Sequence, residues 1–322
     1  MPIPLLIGAG SGLVSAALFA SAATATALAG ILFYLAPLPL CLAGLGWGSI
    51  AAILSALTGT VVVAAVLGPT MGAFFALAMG VPTATLCYLA LLSRPLATPK
   101  GQSSGAQEWY PPGRLVGWGA VIAGLLAGGM VLMLGYDADS YRDSIRTILE
   151  HSALKELDPD GKLFNEDAIA SVSSVLARAL PAAFAVVWFS ITLFNLWLAG
   201  LIVDASGRAL RPWPPLDALE LPNAFFLLFA GALLLSFLPG LVGLLATGLA
   251  GALLFAYVLQ GLAVLHVYSR GLPFRRLLLV AVYLGIVLLG WVAIAVAVIG
   301  LSEPMLRLRE RAAMRGQPPG TE

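Results

Sequence analysis

The densest chemistry in the chain lies between Glu156 and Asp167. Counted from Glu156, carboxylates fall at loop positions 1, 3, 5 and 12 (Glu156, Asp158, Asp160 and Asp167), with Gly161 sixth and Leu163 eighth. Hard oxygen ligands at that spacing around a sharp glycine turn resemble an EF-hand calcium loop. The departures are Glu rather than Asp at position 1, Asp rather than the bidentate Glu at position 12, and Pro159. The same residues also read as a Pro-Asp-Gly turn between two amphipathic helices lying on the membrane surface. Calcium is the one cofactor the sequence suggests.

Polar groups inside apolar segments form the second set. Asn195 and Gln260 each interrupt a long apolar run, and His266 and Arg270 stand near the end of one. An amide in hydrocarbon is expensive, so it either lines a cavity or ties helices together by hydrogen bonds. Pro37 and Pro39 break another apolar run, and the carbonyls they free need neighbours or water. Pro37, Pro39, Asn195 and Gln260 are therefore the candidate residues for binding a small solute. No carboxylate or basic group falls at mid-membrane depth, which argues against a proton relay or a voltage sensor. A third pattern is the small-residue stripe Gly8, Gly12, Ala16 and Ala20, spaced four apart. Such spacing lets helix backbones approach closely, either within the chain or against a partner membrane subunit.

The elements that must position these residues follow from hydropathy. The 322 residues are 60% hydrophobic and only 10% charged, and no charged side chain occurs before Arg94. A surface that apolar is stable only in lipid. Runs of roughly 20 apolar residues occur at 3–22, 26–45, 48–67, 71–93, 114–135, 181–203, 222–239, 241–267 and 274–301. The expected fold is an all-α polytopic bundle of eight or nine spans, the second segment being either a span or a re-entrant hairpin. Four regions result: transmembrane segments and a loop at 94–113 in 1–135, an acidic helical hairpin at 136–180, transmembrane segments in 181–301, and a basic, partly disordered tail at 302–322.

The hairpin holds nine of the sixteen acidic residues. Tyr141, Ile145, Ile148 and Leu149 share one helical face, and Ile169, Val172, Leu176 and Leu180 another. The basic bias places the loops 94–113 and 204–221 in the cytoplasm and the hairpin outside. Nine crossings then put the arginine-rich tail outside, against the same bias. Residues 3–22 read as a retained span, because no basic residue precedes them as a signal peptide requires. Lys plus Arg (17) and Asp plus Glu (16) nearly cancel, so nothing points to nucleic acid. The chain has no P-loop, HExxH, GxSxG or CxxC, and Cys41 and Cys87 read as apolar fillers. A non-enzyme is expected.

Three stretches carry a family resemblance: Leu35-Ala-Pro-Leu-Pro-Leu40 with Gly44-Leu-Gly-Trp-Gly48; Leu259-Gln-Gly-Leu-Ala-Val-Leu-His266; and Gly300-Leu-Ser-Glu-Pro-Met-Leu-Arg-Leu-Arg-Glu-Arg311. Together they resemble the YybS-like family of bacterial polytopic membrane proteins. That family is distantly similar to the substrate-binding S components of energy-coupling-factor transporters. The resemblance implies a bacterial inner-membrane protein and a solute-binding core in the first six segments, 3–203. It also implies docking through an Ala-xxx-Ala face, matched by Ala16 and Ala20, onto a membrane subunit driven by ATPases. The same group includes a rod-shape morphogenesis protein that transports nothing, so a scaffold in envelope assembly or division is the second functional class.

Overall fold

The computed structural model describes residues 3–24, 26–97, 103–154, 166–306, 308–309 and 311. Thirteen α-helices and one two-stranded ribbon are assigned among the described residues. Among the described residues, seven helical stretches are long and apolar enough to cross a membrane: Ile3–Thr24, Ala27–Trp47, Ser49–Leu67, Pro69–Ala90, Pro112–Leu134, Glu166–Ala205 and Gly240–Tyr268. Two shorter apolar helices, Asn223–Ser236 and Trp291–Leu306, join them. The all-α polytopic expectation holds. The chain divides into two compact units, Met1–Gly119 with Trp188–Ala218, and Ala120–Val187 with Leu219–Glu322.

The first unit begins with α1 (Ile3–Ala20) and a 3-10 turn at Ser21–Thr24. The second segment is two helices, α2 (Ala27–Tyr34) and α3 (Pro37–Trp47), broken at Leu35–Ala36 where proline removes amide donors. It is not re-entrant. Ser21 Oγ donates to Ala29 O near the turn and Ser15 Oγ to Ala36 O at mid-length, so α2 and α3 run antiparallel to α1. After the turn at Gly48 (φ +97°), a conformation only glycine adopts freely, α4 (Ser49–Leu67) runs parallel to α1. Gly8 lies against Ala51 and Gly12 against Ser55 and Gly59. The N-terminus therefore shares an end of this unit with the Trp47–Gly48 turn.

The fourth segment is α5 (Pro69–Phe75), a π-helical turn at Ala76–Gly80, and α6 (Val81–Ala90). The following loop was expected to be irregular. It contains an antiparallel ribbon of β1 (Ser93–Ala97) and β2 (Ser103–Trp109), with Arg94 opposite Glu108. Arg94 Nε and Glu108 Oε2 are 2.6 Å apart.

Helix α7 (Pro112–Leu134) has its first residues in the first unit and the rest in the second. The six-segment core 3–203 is thus not a unit of its own, because the fifth segment groups from Ala120 onward with the late helices. The hairpin appears as α8 (Ala138–Ile148) with a π-helical extension at Leu149–Leu154, followed by α9 (Glu166–Ala205). The boundary expected at 180/181 is absent: α9 is a single helix of 40 residues with Pro181 inside it. Gly248 and Gly251 give the backbone around Pro181 and Ala182 room to pack closely. Helices α10 (Asn223–Ser236) and α11 (Gly240–Tyr268) follow as an antiparallel pair.

The ninth segment, 274–301, is not one span. It is α12 (Arg275–Leu289) and α13 (Trp291–Leu306), separated by Gly290 at φ +59°. A Cβ at Gly285 would meet Val292 at 3.1 Å, so the chain folds back there. Helix α12 lies across the end of α11: Arg275 reaches His266 O, and the His266 and Tyr283 rings are 6.0 Å apart. Helix α13 runs antiparallel to α11, with Gly261 against Val296 and Gly300 against Tyr257. Arg309 Nη2 donates to Leu219 O at 2.7 Å. The start of the basic tail thus sits beside the close of the 204–221 loop, from which the count of nine crossings, and not the charge bias, had separated it.

Candidate functional site

The polar groups that interrupt the spans of the first unit resolve into a consistent accounting of backbone hydrogen bonds. At the proline break, Leu38 N bonds to Leu35 O rather than to Tyr34 O, and Ala36 N to Phe33 O. Tyr34 O loses its helical donor. Asn195 Nδ2 supplies one at 2.8 Å and also bonds to Ile191 O on its own helix. Asn195 is fully buried, and its Oδ1 has no partner. Pro82, lacking an N–H, orphans Ala78 O within the π-turn; the Trp188 indole donates to that carbonyl at 2.7 Å. Trp188, Thr192 and Asn195 are spaced i, i+4, i+7, and Thr192 is buried too. One face of α9 therefore seals two helix breaks. The sequence contained the signal for the second seal, Pro82, but nothing in it paired Pro82 with Trp188.

Pro37, Pro39 and Asn195 are thus brought together, around hydrogen bonds that close the break. Gln260 belongs to the second unit and is fully buried, with both ends of its amide hydrogen-bonded. Its Oε1 accepts from Leu221 N at 2.6 Å and its Nε2 donates to Gly300 O at 2.7 Å. It ties the entry of α10 to α11 and α13. Gly8, Gly12 and Ala16 are buried, and the two glycines face α4 of the same chain; Ala20 is partly exposed. That face is spent internally. Of the calcium candidates, Glu156, Asp158 and Asp160 lie outside the described residues, and Asp167 is exposed in the first turn of α9. Among the described residues no group of three or more His, Cys, Asp or Glu could hold a metal.

Two basic loops meet at one end of the first unit. Arg211 is buried, donates to Ala90 O at 2.6 Å, and stacks over Trp109 at 5.7 Å. Burial lowers its pKa from the usual guanidinium value. Arg208 stacks over Trp47 at 5.2 Å. The loops 94–113 and 204–221, assigned to one side by their charge, are therefore physically joined, and the Trp47 turn is with them.

A concave feature lies in the second unit, and no sequence motif pointed to it. A groove of about 930 Å³ is lined by Arg142 of α8, by Ser174, Val175 and Arg178 of α9, and by residues at and after the turn joining α10 to α11, from Ser236 to Thr247. The elements that shape its wall have clear local causes. Asp137 caps α8: its carboxylate accepts from Asp139 N and Ser140 N, while Ser140 Oγ accepts from Asp137 N. These bonds hold the Asp137 carboxyl below the usual range, those to Ser140 contributing most. Tyr141, Ile145, Val131, Ala177 and Leu244 form the core beneath α8. Arg146 bridges Glu150 and Glu166, each at 2.6 Å, joining α8 to the start of α9.

In the groove itself, the hydroxyls of Ser174, Ser236 and Thr247 each donate to a carbonyl three or four residues back. The unspent side-chain donors are guanidinium N–H groups. Arg142 uses Nη1 on Asp139 at 2.8 Å, and Arg178 has no ion-pair partner among the described residues. Among the described residues no acidic residue lines the groove. Phe237, Val175 and Leu238 present apolar surface there, Phe237 being 80% exposed.

A helical chain with this many spanning stretches, paired through buried amides and glycine contacts, is a polytopic membrane protein. More narrowly, residues 13–302 match the model of a family described as predicted membrane protein (DUF2232), and the chain belongs to that family. No curated protein and no solved structure matches it.

Proposed function

We propose that this protein is a transport-related membrane component of the bacterial inner membrane that captures a small solute, in the manner of an S component. The groove between α8, α9 and the α10–α11 turn carries this reading. Its size is that of a ligand site, and it combines an apolar wall with a few convergent polar groups. The site therefore moves from the proline break to the hairpin side of the second unit. Partner subunits with ATPase activity would supply energy, since the chain has no nucleotide-binding motif. Docking would use a surface other than the one with Gly8 and Gly12, which face α4, and the buried Ala16.

Native mass spectrometry of the protein extracted from its own membranes tests this. A co-purifying small molecule, lost when Arg142 and Arg178 are both replaced by Gln, supports capture. A stoichiometric protein partner without any ligand favours the second reading, a scaffold in envelope assembly or division. The sealed helix breaks of the first unit favour that alternative: the Asn195 amide, expected to line a cavity there, donates to backbone carbonyls instead.

A further inference from the structure

We infer that the groove of the second unit takes an amphiphile with a single anionic head, a carboxylate or phosphate, carried on an apolar chain. This rests on the solute-capture reading and names the chemistry of the ligand. Three observations converge. First, Arg142 and Arg178 enter one groove from two different helices, and the other side-chain hydroxyls there have spent their donors on carbonyls. A neutral polar solute would find few donors, whereas an anionic oxygen pair finds two planar guanidinium forks suited to it. Second, among the described residues no carboxylate lines the groove. Asp139, the one partner of Arg142, is almost fully exposed and lies outside the lining. The nearby acidic groups Glu150 and Glu166 are tied to Arg146.

Third, Phe237, Leu238, Pro239, Leu244 and Val175 supply an apolar wall beside the two cations. Phe237 and Leu238 stand in the turn between two apolar helices. Exposed aromatic and aliphatic groups next to two guanidinium groups match a molecule that carries both kinds of surface. The uncapped start of α11, where Pro239 offers no side-chain acceptor, adds the positive end of a 29-residue helix to the same wall. The ligand chemistry has two sources, a free fatty-acid-like amphiphile or the headgroup of an anionic phospholipid.

Binding to the full chain in phosphatidylcholine nanodiscs separates the outcomes, with fluorescent hexadecanoate and the matching hexadecanol as probes. Saturable hexadecanoate binding, with hexadecanol weaker by about tenfold or more, is expected. R142Q and R178Q should each weaken hexadecanoate, and R178K should recover most of the loss. Loss of the hexadecanoate signal when phosphatidylglycerol is added to the discs would identify the phospholipid headgroup as the source; persistence would identify the free amphiphile. Equal binding of acid and alcohol, weakened alike by F237S, would overturn the anionic head while leaving solute capture standing. Failure of both probes alongside a co-purifying hydrophilic solute overturns the amphiphile alone. Failure of both with no co-purifying molecule overturns capture as well.

Discussion

At the scale of single residues, the buried amides are structural fasteners. Asn195 donates to a carbonyl that the proline break leaves open, inside hydrocarbon where no water substitutes. Asn195→Ala should destabilise the first unit by about 1 kcal/mol, the range of interhelical hydrogen bonds in membranes. Trp188→Phe, which orphans Ala78 O, should cost a similar amount, and the two together should be close to additive because they seal different breaks. Reversible denaturation in mixed micelles reads both; an unchanged midpoint for Asn195→Ala would refute the fastener role. Tyr141 poses the opposite case. Its hydroxyl is buried without a partner, and burial pushes its pKa from 10.0 to about 12. Removing an orphaned hydroxyl relieves a desolvation cost of about 1–3 kcal/mol, so Tyr141→Phe should stabilise the α8 cluster. The folded pKa lies above the unfolded one. The Tyr141 contribution is therefore fully present below pH 10 and lost as pH rises toward 12, and Tyr141→Phe should lessen that loss. Far-ultraviolet circular dichroism against pH makes the comparison.

Much of this chemistry was legible in the sequence as residue type and not as partner. Asn195, Gln260, Pro37 and Pro39 stand out because polar groups and prolines are costly in apolar runs. Which carbonyl each one serves depends on contacts between residues far apart in the chain, such as 34 with 195 or 78 with 188. Periodicity contains no information on those pairs. The groove was invisible for the same reason: Arg142, Arg178 and the Ser236–Thr247 turn come from three separated stretches.

At the scale of elements, the first helix shows how a small-residue stripe is read. Its spacing correctly marked a packing face, but spacing alone does not distinguish a partner subunit from α4. The glycines separate the two sides of α1 experimentally. A Cβ at Gly12 would lie 2.5 Å from Ser55 O and 2.7 Å from Thr58 Cβ, while one at Gly10 meets nothing within 4 Å. Gly12→Val should therefore lower the melting temperature and the folded yield, and Gly10→Val should leave both unchanged. Equal tolerance at the two positions would mean that α1 does not pack on α4. The cap of α8 gives a second element-level expectation. The folded pKa of Asp137 is depressed, so its contribution is present above the ordinary carboxylate range and lost as pH falls through the lowered value. Asn caps equally well without titrating. Hydrogen exchange at the first-turn amides of α8 should accelerate on acidification in the wild type, and Asp137→Asn should flatten that response. A wild-type exchange profile with no acid dependence beyond the intrinsic chemistry would count against the cap.

At the scale of the whole molecule, hydropathy located most segments within a few residues, because burying an apolar helix in lipid is a length-and-composition problem. It failed where one apolar run contains two helices, as at Gly290, and where a polar stretch continues a span, as in α9. Both errors concern a turn or its absence, which is decided by a single residue's backbone geometry. The consequence for topology is specific. In the first unit, the parallel packing of α1 and α4 places the N-terminus at the end occupied by Trp47, Arg208 and the ribbon loop. Charge bias assigns that end to the cytoplasm and the hairpin to the opposite side. Single cysteines in the Cys41→Ala, Cys87→Ala background test this, one each at Ile3, Gly207 and Ser152. In intact cells an impermeant maleimide should label only the Ser152 position, and permeabilisation should expose the other two. Labelling of Ile3 but not Gly207 before permeabilisation would return the second segment to a re-entrant path; labelling of Ser152 only after permeabilisation would invert the assignment and place the arginine groove on the cytoplasmic face.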